Sequence, residues 1–152
     1  MTAGDPHRRV LVIGYGNTLR GDDGFGPAVA SLLEKQMGGK STILTPQQLT
    51  PDLAEKAAGH SITVLIDAEE GDEPGFVHHR IIQASARAAV TYHHHITPEM
   101  LAGVALALYG VEPEIHLFSV ESASFEIGEG LSPAVSDAVG TVLEQILQLF
   151  QR

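Results

Sequence analysis

Apolar positions in this chain follow two rhythms, short unbroken runs and recurrences every three or four residues, and their alternation sets out the elements. Val10-Leu11-Val12-Ile13 is an unbroken branched aliphatic run, the pattern of a strand buried on both faces. Glycines from Gly14 to Gly26 then break the chain into a tight turn, and Val29, Leu32 and Leu33 follow at helical spacing until Gly38-Gly39 stops that helix. Thr42 to Thr45 predicts a short second strand. Thr50-Pro51-Asp52 has the N-cap, N1 proline and first-turn acid of a helix start, with Leu53, Ala54, Ala57 and Ala58 behind it and Gly59 closing it. Ser61 to Asp67 is another apolar strand, and it ends in a carboxylate. Phe76 to Ile82 alternates with His and Arg, which predicts a strand near the sheet edge. Ser85 to Tyr92 reads as loop. Thr97-Pro98-Glu99 repeats the helix-start signature, followed by Leu101, Val104, Ala105 and Leu108 and stopped by Gly110. Ile115 to Val120 is the fifth strand, and Ser132-Pro133 opens a last helix with one broad apolar face from Val135 to Phe150.

Five strands interleaved with four helices in 152 residues predict a single domain, residues 1–152, of the α/β class. The expected architecture is a three-layer α/β/α sandwich around a mostly parallel five-stranded sheet. No repeat or low-complexity linker divides the chain.

Composition narrows the partners. The formal charge is −10, with 19 acidic residues against 9 basic ones, and no basic stripe occurs, so nucleic acid and anionic membranes are disfavoured. The absence of cysteine excludes disulfides, thiolate metal sites and a thiol nucleophile, so any metal must be held by oxygen and imidazole. The segment Met1 to Arg9 has no apolar signal region, and no apolar run reaches transmembrane length. A monomer in the cytoplasm is the expectation.

The glycine turn invites a phosphate-binding reading, which its residues oppose. A dinucleotide fingerprint needs glycine where Leu19 stands, a P-loop needs a Gly-Lys-Ser/Thr ending, and Asp22 with Asp23 would repel the phosphate. Capping of the following helix explains one of these aspartates and leaves the second for another role. If the first and third strands are parallel neighbours, their carboxyl ends are about 5 Å apart, and Asp23 and Asp67 face one crevice at the sheet edge where α/β proteins bind ligands. Three histidines, His93, His94 and His95, stand before the third helix, on a loop able to close over that crevice. Two carboxylates and one imidazole suit a first-row divalent ion and leave positions open for water or substrate. Within the trio His94 is favoured and His95 comes second. The acidic loop Glu69 to Gly75 reads as solvated surface, and His78, His79 and His116 read as packing or surface residues on strands. No Gly-x-Ser-x-Gly elbow or His-Glu-x-x-His helix supports serine-hydrolase or zincin chemistry.

The stretch Val12 to Gly26, Val-Ile-Gly-Tyr-Gly-Asn-Thr-Leu-Arg-Gly-Asp-Asp-Gly-Phe-Gly, resembles the opening motif of the hydrogenase maturation proteases. The resemblance continues through Leu65 to Ala68, His94 to Glu99 and Gly130 to Pro133, in order along nearly the whole chain. It implies a twisted five-stranded sheet between helices and an aspartic-type endopeptidase. The implied activity removes a C-terminal extension from the large-subunit precursor of a [NiFe] hydrogenase after nickel insertion. It further implies that Asp23, Asp67 and His94 bind Ni(2+) carried by that precursor, with Asp23 and Asp67 catalytic. Other divalent ions are expected to substitute in vitro, and His93 or His95 is an alternative ligand. One departure stands out. The family has an extra acidic residue and a glycine-rich turn after the second strand, where this chain has Thr45-Pro46-Gln47-Gln48-Leu49. Gln47 and Gln48 cannot ionise and so cannot act as a general base. That favours, as the alternative, a metal-dependent checkpoint module that binds the precursor without cutting it.

Overall fold

The computed structural model describes residues 9–85 and 96–151. In chain order the elements are β1 (Val10–Gly14), α1 (Phe25–Met37), β2 (Ser41–Leu44), α2 (Leu53–Ala58), β3 (Ile62–Glu70), β4 (Val77–Ile82), α3 (Pro98–Tyr109), β5 (Glu114–Ser122) and α4 (Pro133–Phe150). They form one five-stranded sheet in the order β2-β1-β3-β5-β4. All neighbouring pairs are parallel except β4 with β5. The short acidic loop after β3 leaves no room for a crossover helix, so β4 must run back against β3. It does so one strand-width away, and β5 fills the space between them.

Alternate strand residues feed two cores. On one face Val10, Val12, Ile62, Val64 and Ile66 pack under α1 and α4 through Phe25, Val29, Leu33, Val142 and Ile146. On the other, Leu11, Ile13, Leu65, Ile115 and Leu117 pack under α2 and α3 through Leu53, Ala57, Leu101 and Ala105. This is the three-layer sandwich that the hydrophobic pattern predicts. The inner strands are unbroken apolar runs because helices cover both their faces, whereas β2 is only half-buried and β4 is largely exposed at the two edges.

Several boundaries differ from the sequence reading. β3 continues three residues beyond Asp67, because β5 keeps pairing with it as far as Glu70 opposite Ser122. Asp67 is therefore not at the strand tip. Residues Thr50 to Asp52 form an opening turn, with the Leu53 N–H donating to the Thr50 carbonyl at 3.1 Å, and α2 proper starts only at Leu53. At α3 the predicted cap is present: the Thr97 hydroxyl accepts the Met100 N–H at 3.1 Å, Pro98 follows it, and Gly110 ends the helix at φ 68°. Residues 86–95, which include His93, His94 and His95, lie outside the described residues.

Candidate active site

The glycine turn sets how closely α1 approaches the sheet. A Cβ on Gly14 would collide with the Gly26 carbonyl, and a Cβ on Gly26 would collide with the Ile66 carbonyl of β3. These two glycines seat the start of α1 directly against the end of β1 and the middle of β3. Gly16, at φ 148°, lies against the Asp23 carbonyl, so the turn folds back on itself and carries Asp23 over the end of β1.

The adjacent aspartates divide their roles. Asp22 is 1% exposed. Its carboxylate accepts the backbone N–H groups of Ala123 at 2.8 Å, Ser124 at 3.2 Å and Ser132 at 2.7 Å, and the Ser132 hydroxyl at 2.9 Å. Burial pushes its pKa up, but these four donors outweigh burial and hold the carboxyl below the usual carboxylate range. The sequence reading assigned one aspartate to capping the helix that follows the pair. Asp22 instead braces the loop after β5, and it occupies the Ser132 hydroxyl that would otherwise cap α4.

Asp23 is half-buried, and its Oδ2 accepts the Asn17 N–H at 2.6 Å. It lines a cavity of about 370 Å3 together with Tyr15, Gln47, Gln48, Asp67 and Phe125. Asp23, after β1, and Asp67, within β3, thus face one space. Burial drives the Asp67 pKa up to about 7, the Ala68 N–H and the Tyr15 hydroxyl act to lower it, and the charges of Asp23 and Glu69 act to raise it. The Tyr15 hydroxyl is held un-ionised by its own burial and by Asp67 beside it. Asp67 is therefore poised between acid and carboxylate near neutral pH, the range a general acid, a general base or a proton-releasing metal ligand needs.

Among the described residues no group of three or more His, Asp or Glu side chains gathers at metal-binding distance. Asp23 and Asp67 supply two oxygen donors, and Ile96, which follows the histidine trio in sequence, lines the same cavity. His78, His79 and His116 lie elsewhere, on β4 and β5. His116 is buried between Glu114 at 2.8 Å and His79 at 2.9 Å, and His78 pairs with Glu121 at 2.7 Å. Two site residues escaped the sequence reading. Tyr15 carried no chemical signal beyond its place between two motif glycines, and the bracing role of Asp22 depends on a loop one hundred residues away.

The mostly parallel five-stranded sheet flanked by helices is a fold shared with solved [NiFe] hydrogenase maturation proteases. No family model and no curated protein matches the sequence. Solved structures do, over nearly the whole chain. The HycI maturation protease of Thermococcus kodakarensis superposes with a TM-score of 0.73 at 23% identity, over 95% of this chain and 93% of that one. The hydrogenase maturating endopeptidase HybD of E. coli gives a TM-score of 0.70 at 25% identity, over 93% of this chain and 91% of that one. A hydrogenase 2 maturation peptidase from a Thaumarchaeota archaeon gives 0.71 at 26% identity, over 93% and 97%. The likeness of fold to these maturation proteases thus extends over 93–95% of the chain.

Proposed function

We propose that this protein is an endopeptidase that removes the C-terminal extension of a [NiFe] hydrogenase large-subunit precursor once that precursor carries nickel. The observation that carries this reading is the shared cavity of Asp23 and Asp67, past the carboxyl end of β1 and alongside β3, in the fold of the maturation proteases. In this reading the nickel belongs to the substrate. Asp23, Asp67 and His94 hold it, and a precursor without metal lacks the contact that seats its chain in the cleft. Metal ions in hydrolases polarise a carbonyl or acidify a bound water, an effect worth several kcal/mol of barrier. Asp67 has the environment to give up its proton when a cation arrives and to take one from an attacking water. The same reading has the protein act as a monomer in the cytoplasm. Among the described residues no helix is long and apolar enough to cross a membrane.

The test is to incubate the protein with nickel-loaded and nickel-free large-subunit precursor and to measure the mass of the substrate's C-terminal fragment. Shortening of the loaded form alone is the expected result, and an unchanged mass in both overturns the reading. One observation favours a second reading. Gln47 and Gln48 line the cavity where the family resemblance expects an acid. A metal-dependent checkpoint would form a stable complex with the loaded precursor and leave its mass unchanged.

A further inference from the structure

β3 outlasts one neighbour and not the other. β1 pairs with it only as far as Gly14 opposite Ile66, where the Tyr15 N–H donates to the Ile66 carbonyl at 3.1 Å. On the other side β5 follows it to Glu70. In a strand the backbone N–H and C=O of successive residues address alternate neighbours. With Ile66 addressing β1, Asp67 and Glu69 address β5, and Ala68 and Glu70 address the side that β1 has already left. The Ser122 hydroxyl of β5, which donates to the Glu69 carbonyl at 2.8 Å, fits this alternation. On the open edge the Ala68 N–H is taken by the Asp67 carboxylate at 2.7 Å. Among the described residues, the Ala68 carbonyl and the Glu70 N–H are left without a hydrogen-bond partner, aimed past the end of β1.

This edge does not face open solvent at random. Asp67, Ala68, Glu69 and Glu70 all line the cavity that holds Asp23. Glu70 and Phe125 are also part of a second cavity of about 450 Å3, bounded by Arg20 and the segment Ser122 to Glu126. A continuous path therefore runs from the two aspartates along the upper part of β3 and past Phe125.

We propose that the free edge of β3 is the docking strand for the substrate polypeptide. An extended segment of the precursor lies along Asp67 to Glu70 as an added strand, bonded to the Ala68 carbonyl and the Glu70 N–H, with the bond to be cut beside Asp67. An unpaired strand edge recruits extended chain because each backbone group there lacks a partner that only another backbone supplies in register. At about 3.3 Å per residue the edge spans roughly 10 Å, enough to grip three or four substrate residues whatever their side chains. The inference rests on the processing reading and assigns the part of this chain that holds the peptide.

The experiment uses nickel-loaded precursor whose extension is made by semisynthesis, with one N-methylated residue moved along it, and reads both binding and cleavage. Added-strand docking predicts that binding weakens at every second residue and is tolerated between them. A flat profile, or a loss without that period, overturns the inference. As a second arm, Glu70→Pro deletes the free N–H while keeping the bonds to β5, and it is compared with Glu70→Ala, which lacks the same side chain. The proline variant should bind at least about tenfold more weakly than the alanine variant, the worth of roughly one hydrogen bond. Equal binding by two folded variants counts against the proposal. Wild-type binding without a mass change overturns the protease reading while leaving docking to be judged by the N-methyl profile. Absence of both binding and cleavage overturns both.

Discussion

Asp22 and Asp23 are covalent neighbours with opposite surroundings, and the difference is measurable. Removing the Asp22 charge leaves three backbone N–H groups and a hydroxyl with a poorer acceptor, at about 1–3 kcal/mol for a group of this kind. Asp22→Asn should therefore lower Tm at neutral pH. Because the folded-state pKa is depressed, this stabilisation is present above the ordinary carboxylate range and is lost as pH falls through it. Thermal melts of the variant and the wild type should converge in acid. Asp67 has the opposite sign. Its folded-state pKa, raised to about 7, makes the protonated form the stabilised one, so its contribution is full below about pH 4 and is lost as pH rises through 7. Asp67→Asn removes that penalty. The variant should melt above the wild type at pH 8, by on the order of a few kcal/mol in stability, and the gap should close by pH 4. A gap that is independent of pH contradicts the burial of Asp67. In the precursor assay, Asp23→Asn and Asp67→Asn should each abolish trimming while retaining native circular dichroism, and normal cleavage by both contradicts the assignment of the site.

Elements were legible in the sequence to the extent that one local signal defines them. The Thr97-Pro98-Glu99 start and the Gly110 stop of α3 appear where they were read, because capping needs only residues within one turn. The upper half of β3 was not legible, since Glu69 and Glu70 are charged residues typical of loops, and pairing with β5 keeps them extended. Nor was the start of α2, where Thr50 and Pro51 enter an opening turn and the regular helix begins after them. The glycine turn separates signals of conformation from signals of contact. Gly26→Ala places a methyl group against the Ile66 and Tyr15 carbonyls and should lower stability by several kcal/mol, with partial displacement of α1 from the cleft. Gly39→Ala meets nothing within 4 Å and should change Tm little, a comparison that chemical denaturation of the two variants would settle.

At the scale of the whole molecule, the strand order decides the site. β1 and β3 are adjacent, so a loop after one and a residue within the other share a cavity. β5 then separates β3 from β4 and keeps the histidines of β4 from that cavity. A site built from distant segments couples ligand binding to global stability. Nickel added to the isolated protein should raise its Tm, by about 2.7 kcal/mol in stability at a hundredfold excess over Kd. Asp67→Asn should lose most of that rise at the same pH in a thermal-shift titration, and an undiminished rise would place the ion elsewhere. The sequence by itself determined the two hydrophobic periods, the glycine turn, the element order and the acidic residues available, because each depends on near neighbours or on residue type alone. Only the tertiary structure decided that Asp22 braces a loop one hundred residues away, that Asp67 sits inside a strand with its pKa near neutrality, and that β3 runs on beyond its pairing with β1. Those properties depend on which segments pack together and where each neighbour ends, and burial and backbone pairing of that kind leave no local mark in the chain.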